Sequence, residues 1–87
     1  MHEKALMDDL MGKILDVAAS EGGGRVTRIT VRLGALSHFT PEHFREHFVD
    51  ASAGTLAEGA MVEAMLDSDL TAPAAQGVVL ESVVVGR

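Results

Sequence analysis

Three consecutive glycines, Gly22 to Gly24, separate two stretches whose apolar residues recur with different periods. Before them, Leu6, Met7, Leu10, Met11, Ile14, Leu15 and Ala18 follow the three-and-four spacing that lines one face of a helix. Lys4, Asp8, Asp9, Lys13 and Asp16 occupy much of the remaining surface. After the glycines, Ile29, Val31 and Leu33 alternate with Arg28, Thr30 and Arg32, the period of a strand with one buried side. A helix over residues 3–20 must therefore stop at EGGG and give way to a strand over 25–34, because glycine takes the left-handed capping conformation at little cost. The glycines have no strand before them and no helix after them, so they read as a helix stop and not as a phosphate loop. Val26 is out of phase with Ile29, which predicts irregular pairing at the start of the strand.

The segment HFTPEHFREHF, residues 38–48, marks a second helix. Thr40 suits the N-cap and Pro41 the first helical position, where no amide donor is needed. Phe39 before the cap and Phe44 four residues past it form a hydrophobic staple. Phe44, Phe48 and Ala51 carry the buried stripe, and the helix should end near Ser52 to Gly54. AMVEAMLD, 60–67, reads as a second strand with Val62, Ala64 and Leu66 on one face and Met61, Glu63 and Met65 on the other. GVVLESVVVG, 77–86, reads as a third, whose inner residues change phase between Leu80 and Val83. That change predicts a bulge near Glu81 and Ser82. The small, polar SDLTAPAAQG between these strands is a loop. The expected fold is α+β: order α-β-α-β-β, a three-stranded sheet with two helices packed on one face. The last two strands are consecutive and can pair as a hairpin. Met61 and Met65 admit two readings, a sheet face covered by a further element or an adaptable interaction surface.

At 87 residues the chain makes one domain of marginal stability, and with no cysteine it has neither disulfides nor thiolate metal sites to help. Thirteen acidic against seven basic residues give a net charge of −6, which argues against nucleic acid and anionic membrane as partners. Three Phe with no Trp or Tyr leave little for base stacking. No segment is long enough to span a membrane, and residues 1–20 are amphipathic and acidic, unlike a signal peptide. The expected location is cytoplasmic.

Several strings together resemble the HypA/HybF family of metallochaperones, which deliver nickel during hydrogenase maturation. They are MHE at the start, RLGALS after the first strand, TPEHFREHF in the second helix, GTLAEGAMVE leading into the second strand, and LESVVV at the close. The resemblance runs in order through residues 1–66 and resumes in the last strand. Family members carry a zinc-binding domain with paired CxxC motifs between the second and last strands. Here loop 68–77 takes its place, so the chain resembles the nickel-binding domain alone, over residues 1–87, and no zinc is expected. The resemblance implies that His2 is the principal nickel ligand, that Glu3 forms or tunes the site, and that Met1 contributes through its amine and backbone. Some relatives use a carboxylate early in the second helix. The aligned residue here is Thr40, which cannot replace it, and His38 and Glu42 lie close by in sequence.

The chemistry of position 2 supports the same metal. An imidazole there can act with the terminal amine and the intervening amide nitrogen, forming fused chelate rings around one ion. Such nitrogen-rich, square-planar donation suits Ni(II) or Cu(II) better than Mg(II) or Zn(II). The competing reading of His2 is an ordinary exposed terminal residue. HFREH, residues 43–47, matches the H-x-x-E-H pattern of inverted zinc proteases, which needs a third ligand and a substrate cleft that so short a chain hardly provides. His43 and His47 read otherwise as partly packed histidines beside the Phe stripe, or as an adventitious metal site. No serine or threonine has a nucleophile's context. The expected function is a nickel-binding metallochaperone-like protein for a nickel enzyme such as hydrogenase, holding Ni(II) at Met1, His2 and Glu3, and not an enzyme. The alternative is a metal-independent adaptor module that kept the fold. Expected partners are maturation proteins or a nickel-enzyme precursor, and a second copy paired through the last strand.

Overall fold

Both periodicities resolve where the glycines divide them. The computed structural model describes residues 3–71 and 75–86, with α1 over Glu3–Ser20 and β1 over Val26–Leu33. Gly22, at φ 97°, donates to the Ala19 carbonyl and Gly23, at φ 77°, to that of Ala18. That pair of bonds closes the last turn of α1 and satisfies carbonyls that the helix end would otherwise leave unpaired. Gly24 has a separate reason to be glycine. A Cβ there would run into the Gly86 carbonyl oxygen, because the chain end crosses close behind the turn.

α2 spans Pro41–Ser52, with Thr40 as N-cap accepting from the His43 amide at 3.1 Å. Phe39 and Phe44 meet edge to face, ring centroids 5.6 Å apart, which is the predicted staple. Phe44 and Phe48 are buried, while Ala51 is only half-buried and Ser52 takes the inward position at the helix end. Ser52 Oγ answers its burial by donating to the Val49 carbonyl. β2 covers Met61–Leu66 and β3 Val78–Val85.

The hairpin that consecutive order allowed between the last two strands does not form. The sheet order is β2-β1-β3, with β1 parallel to β2 and antiparallel to β3. The α2 crossover brings β2 up beside β1 in the same direction, and β3 then fills the other edge. Ile29, Val31 and Leu33 are fully buried on the inner side of β1. They share one core with Met7, Leu10, Met11, Ile14 and Ala18 of α1 and with Phe44 and Phe48 of α2, so both helices serve a single face. Both predicted irregularities are present. The register with β3 slips between Val26 and Arg28, and again between Thr30 and Val31, where Glu81 has no partner. The second slip lets Val78 and Leu80 point inward before it and Val83 and Val85 after it.

The opposite face of the sheet is open. Met61 is 61% exposed and Met65 48%, so no element among the described residues covers them. Across this face Arg28 pairs with Glu63 and Arg32 with Glu81, both at 3.5 Å and well solvated, which makes them weak. Leu66, in phase with Val62 and Ala64, is exposed because it lies where the sheet ends.

Two glycine substitutions should move stability in opposite directions. Gly12 lies on the exposed side of α1 with nothing within 4 Å of an added Cβ, so Gly12→Ala should stabilise by about 0.5–1 kcal/mol. Gly24→Ala should destabilise by about 1–3 kcal/mol, the usual cost of overpacking. Urea unfolding followed by circular dichroism reads both.

Candidate metal centre

α1 and α2 pack against each other, and an open cleft of about 380 Å³ lies between the first turns of α1 and the second half of α2. Lys4, Met7 and Asp8 line it from α1; His47, Asp50 and Ala51 line it from α2. Lys4 pairs with Asp8 at 2.7 Å across one turn of its own helix. Asp8 and Asp50 add carboxylates to the lining of a chain that is already acidic, a setting that favours cations.

Met1 and His2 lie outside the described residues, and Glu3 enters as the first residue of α1. Lys4, the residue after Glu3, is in the cleft wall. Thr40 is committed to its capping bond with the His43 amide. His38 is exposed and holds the left-handed φ of 66°, unusual for a residue with a Cβ, in the turn that delivers Phe39 to the core. Glu42 is exposed in the first turn of α2.

His43 and His47 come together. Their Nε2 atoms are 2.9 Å apart and their ring centroids 4.5 Å, so one imidazole donates and the other accepts. Phe39, buried beneath them, touches both rings, with centroids 5.8 Å from His43 and 6.0 Å from His47. The pair is thus held on a rigid aromatic floor. Among the described residues no group of three or more His, Asp or Glu is arranged to hold a metal, so the third ligand that the H-x-x-E-H reading requires is not supplied there. Glu46, the acid of that pattern, is exposed.

Apart from His47, the sequence pattern did not single out the cleft residues. One signal was present in the spacing: His43, His47 and Asp50 stand four and three residues apart and so share a helix face. Nothing in sequence indicated that this face meets the start of α1. No helix among the described residues is long and apolar enough to cross a membrane.

Comparison with known proteins bears on what this cleft serves. The family model described as "Hydrogenase/urease nickel incorporation, metallochaperone, hypA" matches residues 1–70. The chain is similar to Hydrogenase maturation factor HypA of Methylocella silvestris, 38% identical over 63 residues, covering 72% of this chain and 56% of the relative. It is similar to the protein of the same name from Chlorobium limicola, 36% identical over 63 residues, covering 72% and 54%. The Thermococcus kodakarensis protein of that name is 40% identical over 63 residues, covering 72% and 45%. The chain spans about half the length of the curated relatives it matches. With the match extending over most of its length, the chain belongs to the HypA family.

Proposed function

We propose that this chain is a nickel-binding domain of a metallochaperone for hydrogenase maturation, holding Ni(II) as cargo at Met1, His2 and Glu3. The observation that carries the reading is the family match, which begins at Met1 and runs through residue 70. The donor chemistry agrees with it. The Met1 amine, the amide nitrogen between the first two residues and the His2 imidazole make fused chelate rings, and Glu3 stands next in the chain. The reading is supported by the acidic cleft at the first turns of α1, where Asp8 and Asp50 make a setting that favours a cation.

In this reading metal is bound and passed on, and no substrate is turned over. Residues 1–87 form one domain in which loop 68–77 stands where relatives carry a zinc-binding domain, and zinc has no part in it. The recipients are other maturation proteins or the nickel-enzyme precursor itself, and the work takes place in the cytoplasm. β3 lies at a sheet edge, the position from which a second copy can pair strand to strand.

Ni(II) titrated into protein that starts at Met1 should bind tightly and give square-planar d–d absorption. His2→Ala, and separately one extra residue before Met1, should each weaken binding at least about tenfold, since even indirect ligand losses cost that much. Equal affinity in all three proteins would remove the N-terminal site. Affinity should also fall as pH is lowered, because imidazole, amine and amide must be unprotonated to bind. Light scattering tests the homodimer: a dimer mass is expected, and a monomer at every concentration removes that part of the reading.

A further inference from the structure

We infer that His43 and His47 form a second metal site on α2, for a first-row ion that takes imidazole ligands, Ni(II) or Cu(II), in addition to the N-terminal donors of the proposed function. Two imidazole nitrogens each about 2.1 Å from one first-row ion lie about 3.0 Å apart at a right angle and about 3.4 Å apart at the tetrahedral angle. The Nε2 atoms here are 2.9 Å apart. That separation is set by the hydrogen bond between the rings, and it already brings both nitrogens within the span of one first-row ion; imidazole donors suit Ni(II) and Cu(II).

Three further features support a built site. The residues stand one helical turn apart on a regular helix, so the backbone fixes the spacing of their Cα atoms. Both rings rest on buried Phe39, which restricts their rotation and lowers the entropy lost on binding. The ring centroids are only 4.5 Å apart and the planes are inclined at 58°, so the rings lean together instead of meeting head-on. Turning both nitrogen lone pairs onto one ion exchanges the hydrogen bond between the rings for two bonds to the metal. His47 also lines the cleft from which water completes the coordination shell.

The site is tested in protein carrying both His2→Ala and one extra residue before Met1, which removes the N-terminal donor set. Ni(II) titrated by calorimetry should still bind at one equivalent. His43→Gln or His47→Gln added to that background should weaken it at least about tenfold while the far-ultraviolet circular dichroism is unchanged. In the blocked protein, without any change to α2, substoichiometric Cu(II), which is paramagnetic in square-planar and octahedral coordination alike, should broaden the ring signals of His43 and His47 before those of His38. Absence of binding in the blocked protein, equal binding after His43→Gln, or broadening that spares these two rings would each overturn the inference. The two metal sites are separable: equal Ni(II) affinity with and without His2 removes the N-terminal site only, and loss of all binding in the blocked protein removes the α2 site only.

Discussion

Strand β1 is the constraint on which the other elements depend. It pairs along its length with β2 on one side and with β3 on the other, and β2 and β3 do not pair with each other. Its inner residues Ile29, Val31 and Leu33 are fully buried against both helices. A central strand of this kind leaves almost no freedom in register, because a slip of one residue would turn the three apolar side chains to water and Arg28, Thr30 and Arg32 into the core. The loops act to hold this strand in place at both ends. The Val26 amide donates to the Leu56 carbonyl and the Gly34 amide to that of Gly77.

The helices, the strands and both bulges were legible in the sequence because each is written in the phase of nearby apolar residues. Glu81 is an example: it interrupts an alternation that resumes on the other parity, and the chain has no other way to keep Leu80 and Val83 both inward. Strand order was not legible in the same way. Adjacency in sequence suggested a β2–β3 hairpin, but which edge a strand joins depends on where α2 deposits β2, and no local pattern encodes that. In the sequence GTLAEGA carried a family resemblance and no structural reason of its own. The structure supplies one. Gly54 and Gly59 take left-handed φ values of 80° and 81°, Thr55 Oγ1 donates to the Ser52 carbonyl and accepts from the Ala57 amide, and Ala57 is fully buried. The string encodes a tight turn that seats Leu56 against the start of β1.

The candidate site divides along the same line. The N-terminal donors proposed above come from chain position and chemistry, and Met1 and His2 lie outside the described residues. The cleft needed tertiary contact between α1 and α2, which spacing does not express. For His43 and His47 the sequence showed one helix face and left their meaning open between packing and metal. The structure adds that Phe39, the staple residue that fixes the start of α2, also orients both imidazoles. One aromatic ring thus links the stability of the helix entry to the geometry of the histidine pair.

Because β2 and β3 are joined only through β1, covalent continuity between them matters little to the sheet. The connection leaves at Asp67, whose amide donates to the Leu33 carbonyl, and returns at Gly77, beside Gly34. Both anchors sit at the same end of the central strand. The entropy of closing a longer connection grows only slowly with its length. The fold therefore has a natural port at this end, where a segment of very different size can be accommodated, or the chain cut and its ends rejoined elsewhere, while every strand keeps its partner.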